Sequence, residues 1–197
     1  MKEFIESIKE REAAAIMGIP VENDYETAIS ILSSLRSTNN KVVCSGMGKA
    51  GQVANNLSTT LASTGTPAIF LHPSEAQHGD LGILQDGDVL CLISNSGKTR
   101  EILELKDLAQ RLAKNLRIIA ITGHPDSPLG EVSDVCLYTG NPEEVCPLGL
   151  TPTTSITVMT VICDMLVTSV MKATNFSKEE YALRHHSGYL GTKARHE

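Results

Sequence analysis

The sequence contains few aromatic residues and no excess of positive charge. Phe, Trp and Tyr make up 4% of the 197 residues and Trp is absent, so aliphatic side chains must build most of the core. The formal net charge of −6 argues against general nucleic-acid binding, which requires a basic face. A local basic pocket for one phosphate remains compatible with this charge, but we expect no nucleic-acid partner.

Cysteine pairs with the spacing of a redox or zinc motif are also missing. The five cysteines are odd in number, none belongs to a C-x-x-C pair, and several lie in apolar runs. This usage indicates buried, reduced thiols in a cytoplasmic protein. His78 and Asp80 could form a metal pair, but two ligands are too few to define a site, so we expect no metal.

The sequence has no uninterrupted apolar run long enough to cross a membrane. The longest run, 156–171, contains Asp164 and several threonines, and it is shorter than the roughly 20 apolar residues of a spanning helix. Residues 1–16 carry charges throughout, unlike a secretion signal or a membrane anchor. We therefore predict a buried helix in this region, no membrane partner and a cytoplasmic location.

What the sequence does contain is a regular alternation of strand-like and helix-like segments. Short apolar runs predict five strands, at 41–45, 67–72, 88–94, 116–122 and 134–139. The main predicted helices lie between or beside them, at 1–17, 25–38, 49–63, 99–114 and 153–174. A last short helix should begin at the Ser177–Glu180 capping box. This order predicts an α/β fold with a five-stranded, mainly parallel sheet.

We find no linker, internal repeat or low-complexity tract, so the prediction is a single domain over residues 1–197. It divides into N-terminal helices at 1–38, an α/β core at 40–174, and a C-terminal helix and tail at 177–197.

A glycine-rich turn follows the first predicted strand. Gly46, Gly48 and Gly51 fit the spacing G-x-G-x-x-G, which brings a ligand close to the backbone at a helix N-terminus. A dinucleotide site also needs an acidic residue at the end of the second strand, and that strand ends instead in His72 and a proline. Lys49 inside the turn points to another anionic ligand, so a nicotinamide cofactor is disfavoured.

A second polar loop, SNSGKTREI, lies between the third strand and its helix. Ser94, Ser96 and Thr99 supply hydroxyl groups, and Gly97 frees the backbone between them. Three hydroxyls at a helix N-terminus favour a phosphate monoester dianion. The alternative is a simple helix cap, which needs only one hydroxyl.

Three further segments contain candidate acid–base residues. Glu144 precedes the long helix, and we expect burial against Pro147, Leu148 and Leu150 to raise its pKa toward the range of a general base. A solvated loop acid is the alternative. His78 lies in a polar loop where it either contacts a ligand or packs at a strand end, and His185 belongs to an adjacent histidine pair that is either functional or plain surface.

Taken together and in this order, five segments resemble the sugar isomerase (SIS) domain, and more narrowly the arabinose-5-phosphate isomerases of 3-deoxy-D-manno-octulosonate (Kdo) synthesis. The segments that carry the resemblance are GMGKAG, STGTPAIFLHPSEAQHGDLG, ISNSGKTREI, CPLGLTPTTS and HHSGYLG, over about residues 40–191. The resemblance implies a three-layer αβα sandwich, the SIS fold. Family members often carry two cystathionine-β-synthase-type (CBS) repeats after this domain, and the present sequence ends at Glu197 without them.

The resemblance also implies an activity and a set of site residues. The activity is cofactor-free interconversion of D-ribulose 5-phosphate and D-arabinose 5-phosphate through a cis-enediolate, which supplies Kdo and lipopolysaccharide synthesis. The implied catalytic residues are Lys49, Glu101, Glu144 and His185, with Glu144 as the carbon base and Glu101 as its rival. The implied substrate- and phosphate-binding residues are Ser45, Gly46, His78, Ser94, Asn95, Ser96 and Thr99.

Two positions depart from the family pattern. Lys98 stands where the family usually has glutamate, and His185-His186-Ser187-Gly188 replaces the usual HPGG. These changes affect the local geometry next to the phosphate loop and the placement of His185.

The family resemblance further implies a homotetramer, in which His185 could act from a neighbouring subunit. CMP-Kdo is a possible feedback ligand at the isomerase pocket. Two other functions remain open at this point: a non-catalytic sugar-phosphate sensor on the same fold, and an isomerase of another phosphosugar.

Overall fold

In the computed structural model, which describes residues 1–196, five strands form one sheet. In chain order they are β1 Val42–Gly46, β2 Ala68–Phe70, β3 Val89–Ile93, β4 Arg117–Thr122 and β5 Val135–Tyr138. Their order across the sheet is β2-β1-β3-β4-β5, and every neighbouring pair is parallel. The predicted α/β fold is confirmed, with a fully parallel sheet among the described residues.

Nine α-helices accompany the sheet within this part of the chain. They are α1 Lys2–Met17, α2 Tyr25–Ser34, α3 Gly48–Ser63, α4 Pro73–Ala76, α5 Arg100–Leu112, α6 Pro128–Val132, α7 Thr154–Ala173, α8 Lys178–Arg184 and α9 Gly188–His196. Short 3₁₀ helices lie at Leu35–Ser37 and Asp80–Ile83. The capping box predicted at the start of α8 is present. Helices α4 and α9 were not predicted from the sequence, and Glu197 lies outside the described residues.

The sheet separates two apolar cores. One contains side chains of α2, α3 and α7 packed against one face of the strands. The other contains side chains of α5, with single residues of α4 and α6, packed against the opposite face. Because both faces are covered, strands β1 and β3 are buried along their whole length. This arrangement confirms the three-layer αβα sandwich.

Among the described helices, only α7 has the length and the apolar composition of a membrane-spanning helix. Half of its most apolar window is buried inside the fold, where it packs against α1, α2 and α3. Nine of its residues are fully buried, whereas Asp164 and Thr168 on the other side are exposed. The predicted buried helix is therefore confirmed for one face only.

A buried carboxylate joins the starts of β1 and β3. Asp88 is 0% exposed, and its two oxygens accept hydrogen bonds from the backbone N–H groups of Lys41 and Gln85 at 3.0 and 2.9 Å. The Lys41 ammonium adds an ion pair at 2.7 Å. Because its charge is paired and hydrogen-bonded, this carboxylate can be buried at the amino edge of the sheet.

The opposite, carboxyl edge of the sheet contains the position where a ligand is expected. Strand β2 lies on one side of β1, and β3 lies on its other side. The connections that follow β1 and β3 therefore run in opposite directions away from each other. In open α/β sheets, ligands bind in the crevice that forms at such a reversal of strand order. Both polar motifs of the sequence lie in these two loops.

Candidate active site

The loop after β3 is a compact cluster of hydroxyl groups. Gly97 has a φ of +61°, and a Cβ atom there would lie 1.8 Å from Ser127 Oγ, so only glycine fits. The Ser94 and Thr99 hydroxyls are 2.8 Å apart, and Ser94 Oγ accepts the N–H of Gly97 at 3.1 Å. Ser96 Oγ accepts the N–H two residues further on at 3.2 Å.

These bonds leave hydrogen-bond donors available to an anion. The contact between Ser94 and Thr99 uses one of their two hydroxyl protons, and the Ser96 proton has no acceptor among residues 1–196. Thr99 is the N-cap residue of α5, yet its side chain makes no capping bond, so the first turn of the helix keeps free N–H groups. The simple helix cap, the alternative for this loop, is not what the structure shows.

The glycines after β1 serve close packing of a strand and a helix. A Cβ atom at Gly51 would lie 2.6 Å from the carbonyl oxygen of Gly46, and one at Gly46 would lie 2.8 Å from the backbone of Ala50. At the end of β2, where a dinucleotide site would need an acid, His72 instead accepts the N–H of Ser74 at the start of α4. The G-x-G-x-x-G spacing therefore has a structural explanation that needs no nicotinamide.

Lys49 lies in the first turn of α3 with an exposed side chain. Within residues 1–196 no hydrogen bond or ion pair engages its ammonium group. The positive end of the helix dipole lies at the N-terminus and repels the lysine ammonium group. The helix end and the ammonium group therefore both attract an anion to the same place. This unpaired cation therefore adds to the positive potential of the site.

The carboxylate of Glu144 is bound to the start of α7. Its Oε2 accepts the N–H and the hydroxyl of Thr153 at 2.7 and 2.9 Å, and also the N–H of Ser155 at 3.3 Å. Its Oε1 accepts the Ser155 hydroxyl at 2.5 Å. Glu144 thus caps the N-terminus of the long helix, and Oε1 still has a lone pair for a further partner.

The expected rise in the pKa of Glu144 is wrong. Burial acts to raise this pKa, but the hydrogen bonds from the side chains and N–H groups of Ser155 and Thr153 together outweigh it, so the pKa is lowered from its ordinary value. Leu148 and Leu150 are 76% and 78% exposed and do not enclose the carboxylate. The carboxylate is therefore ionised at neutral pH.

A cavity of about 370 Å³ lies between the loops after β1 and β3 and the start of α7. Its lining brings together six of the residues singled out by the sequence: Lys49, Ser94, Asn95, Ser96, Thr99 and Glu144. Apolar side chains of β3 and α7 close the remaining wall, among them Ile93, Ile156 and Met159. Ser155 lines it as well, so one cation, one carboxylate and four hydroxyls surround a space of the size of a small sugar phosphate.

A larger cleft of about 520 Å³ lies beside this cavity. The loops after β4 and β5 form most of it, and its residues His124, Pro125 and Asp126 are exposed. It shares Ser96 with the cavity but contains neither Lys49 nor any of the candidate carboxylates. The chemistry that the sequence indicates is therefore found in the smaller cavity.

Five predicted site residues do not line that cavity within the described part of the chain. Ser45 is buried and donates its hydroxyl to the Leu71 carbonyl at 2.6 Å. Gly46 packs against α3, and Glu101 is a half-buried residue in the first turn of α5. His78 is exposed in the polar loop after α4.

His185, the fifth, lies at the end of α8. Its ring stacks on that of Tyr181 with 3.7 Å between the centroids, and its Nδ1 is 3.0 Å from the Tyr181 carbonyl oxygen. Helix α8 itself is attached to the body of the protein through the ion pair of Arg36 with Glu180 and through the contacts of Arg36 and Arg184 with the Phe176 ring. These contacts hold His185 outside the cavity of its own chain.

The cysteines are free thiols, as predicted, but not all of them are buried. Cys44, Cys91 and Cys163 are buried, whereas Cys136 and Cys146 are partly exposed. Hydrogen bonds from Thr151 and from nearby N–H groups lower the pKa of Cys146 to about 6. Residues 1–196 contain no group of three His, Cys, Asp or Glu side chains that could hold a metal ion.

Sequence reasoning missed the residues that orient Glu144. The sequence analysis assigned no site role to Thr153 or Ser155, yet they donate four hydrogen bonds to this carboxylate. Known capping patterns place the capping side chain at the helix start itself, so no local signal identified a glutamate nine to eleven residues earlier as the partner of these residues.

Comparison with known proteins is consistent with this geometry. The family model described as SIS domain matches residues 34–169. A crystal structure from Bacteroides fragilis NCTC 9343, of a proposed phosphosugar isomerase involved in capsule formation, is 59% identical, has a TM-score of 0.93, and covers 96% of this chain and 99% of that one. The structure of E. coli CFT073 c3406 in complex with arabinose 5-phosphate is 33% identical, has a TM-score of 0.82, and covers 93% and 98% of the two chains.

Curated relatives include the Arabinose 5-phosphate isomerase KdsD of Yersinia pestis, which is 41% identical over 184 residues. That match covers 93% of this chain and 55% of the relative, so the chain spans about half the length of the curated relatives it matches. A family model over most of the core, a full-length structural match and a hydroxyl-lined loop at the reversal of strand order agree with one another: this chain belongs to the SIS domain family.

Proposed function

We propose that this chain is an aldose–ketose isomerase that interconverts D-ribulose 5-phosphate and D-arabinose 5-phosphate for Kdo and lipopolysaccharide synthesis. The observation that carries the proposal is the single cavity that combines a hydroxyl-rich helix N-terminus, an unpaired lysine and an ionised carboxylate. The relatives named Arabinose 5-phosphate isomerase and the related structure holding arabinose 5-phosphate support the choice of substrate.

The loop after β3 is where the phosphate would bind. Ser94, Ser96 and Thr99 offer hydroxyl protons, and the uncapped first turn of α5 offers N–H groups. Such donors, together with the helix dipole, bind a monoester dianion without a metal ion. Asn95 in the same loop lines the cavity and would contact the sugar.

Glu144 would move the carbon-bound proton. The reaction removes the proton from C2 of the aldose, forms a cis-enediolate, and returns a proton to C1, while a second proton moves from the C2 oxygen to the C1 oxygen. A base for this step must be ionised and must have a free lone pair, and Glu144 satisfies both conditions at Oε1. Glu101, the rival base, does not line the cavity in the described structure.

Lys49 would stabilise the negative charge that develops on the enediolate. A preorganised cation in a partly closed site stabilises such a charge more than water does. The family resemblance assigns to His78 the orientation of substrate hydroxyls, although this residue does not line the cavity of its own chain. Ser45 and Gly46 would shape the loop that holds Lys49. His185 would transfer the proton between the two oxygens.

The position of His185 favours an assembly in which it acts in a neighbouring subunit. In its own chain the ring is stacked on Tyr181, away from the cavity. The partly buried Val161 and Met165 of α7 and the exposed side chains of Leu148 and Leu150 offer apolar surface to a second copy. We expect a homotetramer, measurable by light scattering, and mixing of inactive Glu144→Gln and His185→Ala subunits should restore part of the activity.

Location and regulation follow from the same proposal. Free thiols agree with the reducing cytoplasm. CMP-Kdo, a downstream product with its own phosphate, would compete with the substrate for the hydroxyl-rich loop. Competitive inhibition against arabinose 5-phosphate would support this ligand, and the lack of both inhibition and a thermal shift would exclude it.

The test of the proposed function is direct turnover. Purified protein is incubated with D-ribulose 5-phosphate without added metal, and arabinose 5-phosphate is quantified beside a panel of six- and seven-carbon phosphosugars. Conversion of the pentose phosphates with the highest kcat/KM supports the proposal. Tight binding without turnover would instead indicate a sensor, and preference for a longer sugar would indicate another phosphosugar isomerase.

A further inference from the structure

The peptide unit that follows Glu144 is held at both of its ends by residues connected to α1. The guanidinium of Arg11 donates from Nη2 to the carbonyl oxygen of Glu144 at 2.9 Å. The N–H of Val145, at the other end of the same planar unit, donates to the hydroxyl of Thr154 at 3.0 Å. That hydroxyl in turn donates to Oε1 of Glu12 at 3.0 Å.

Glu12 determines which way the Thr154 hydroxyl points. A hydroxyl has a single proton, so donating it to the carboxylate directs a lone pair toward the N–H of Val145. Thr154 is 1% exposed and Val145 is 7% exposed, so water does not replace these partners freely. Without the Glu12 acceptor, the hydroxyl can rotate and the N–H loses a fixed partner.

The position of the second oxygen of Glu12 lowers the stability of the folded protein. Oε2 is buried and has no hydrogen-bond partner among the described residues. A buried polar atom without a partner lowers stability, so packing does not explain a glutamate at this place. A functional role does explain it.

The orientation of this peptide unit affects the orientation of the Glu144 side chain. Rotating the unit changes ψ of Glu144 and shifts the backbone from which its carboxylate projects into the cavity. The far end of the side chain is held by Ser155 and Thr153 at the start of α7. Two helices, α1 and α7, therefore fix the residue from opposite ends.

We propose that Arg11 and Glu12 are positioning residues for the Glu144 carboxylate. The pair precedes residues 34–169, the part matched by the family model. The effect on turnover rests on the proposed function, in which Glu144 is the base. The effect on Glu144 itself does not, and it can be measured without substrate.

The kinetic test uses three variants of one helix. Glu12→Leu removes the acceptor and should lower kcat by about tenfold to a hundredfold with little change in KM, because small displacements of a catalytic group have effects of this size. Glu12→Gln keeps an acceptor oxygen and should restore most of the activity. Glu10→Leu is the matched control, since Glu10 is exposed on the same helix, and it should behave as the wild type.

The substrate-free test follows the Glu144 carboxyl carbon by ¹³C NMR, with the resonance assigned by its loss in Glu144→Gln. In Glu12→Leu the hydrogen bonds from Ser155 and Thr153 should loosen, and the pKa of Glu144 should rise toward its ordinary value. Glu12→Gln and Glu10→Leu should leave the titration unchanged. A wild-type protein without turnover would refute the proposed function, while this titration would still decide the positioning role.

Two results would overturn the proposal. The first is a folded Glu12→Leu variant with wild-type kcat and an unchanged Glu144 titration. The second is a fall in activity that matches only a loss of folded protein in thermal unfolding. If Glu12→Leu does not fold, Arg11→Gln, at an exposed position, replaces it: a several-fold fall in kcat with a shifted titration supports the role, and no change in either refutes it.

Discussion

Replacing Glu144 with glutamine should abolish most of the activity with only a moderate loss of stability. Glutamine has the shape of glutamate but is a poor base for a carbon-bound proton. Positioned acid–base groups contribute about 10²- to 10⁴-fold to rates, so kcat should fall by that factor. The corresponding rise in the activation barrier is about 2.7–5.4 kcal/mol.

The stability cost follows from the hydrogen bonds at the start of α7. The carboxylate accepts four bonds from Ser155 and Thr153, and an amide nitrogen cannot accept any of them. At least one buried donor therefore loses its partner, at a cost of about 1–3 kcal/mol. For a domain of this size, the melting temperature should fall by about 2–12 °C.

The assay compares Glu144→Gln with Glu143→Gln, an exposed neighbour on the same loop. Steady-state rates and thermal unfolding are measured for both variants and for the wild type. In the wild type, kcat at saturating substrate should begin to fall on the acid side only below the ordinary range of a glutamate, because hydrogen bonds lower the pKa of Glu144. A Glu144→Gln variant with more than half of the wild-type kcat would refute the assignment of the base.

Three further predictions concern separate parts of the molecule. Lys49→Met should lower kcat about 10²- to 10³-fold, because it removes the cation at the developing charge. Lys172→Met, at an exposed position near the end of α7, should leave kcat unchanged in the same steady-state measurement. Cys146 should react with iodoacetamide at a rate that rises with pH around a midpoint near pH 6, because hydrogen bonds lower its pKa to about 6. Peptide mapping should find Cys146 modified before the buried thiols. A midpoint near the ordinary thiol pKa would contradict this prediction. Asp88→Ala should destabilise the protein by about 3–5 kcal/mol in urea unfolding, because it leaves the Lys41 ammonium without its buried partner, and a loss under 1 kcal/mol would contradict the proposed pairing.

The order of elements could be predicted because each leaves a local pattern. Apolar runs gave the strands of a sheet covered on both faces, and Ser177 with Glu180 gave the start of α8. The hydroxyl-rich loop was also predictable, since its donors lie within six consecutive residues. Helix α9 was not predicted, because glycine at both positions 188 and 191 weakens the helical pattern.

The environment of Glu144 could not be predicted, because it depends on contacts distant in sequence. The carboxylate meets residues nine and eleven positions later, and these hydrogen bonds reverse the expected direction of its pKa. Arg11 contacts its carbonyl across 133 positions. No local pattern encodes a contact of that separation, so only the folded chain shows which side chains surround the acid.

The central claim is that the loop after β3 holds the phosphate while Glu144 faces the reacting carbons. The most direct measurement is a crystal structure of the Glu144→Gln variant with bound arabinose 5-phosphate. The account predicts phosphate oxygens within hydrogen-bond distance of the Ser94, Ser96 and Thr99 hydroxyls, and sugar C2 in contact with the side chain at position 144. A phosphate bound in the cleft between the loops after β4 and β5, or a sugar that leaves position 144 open to solvent, would contradict it.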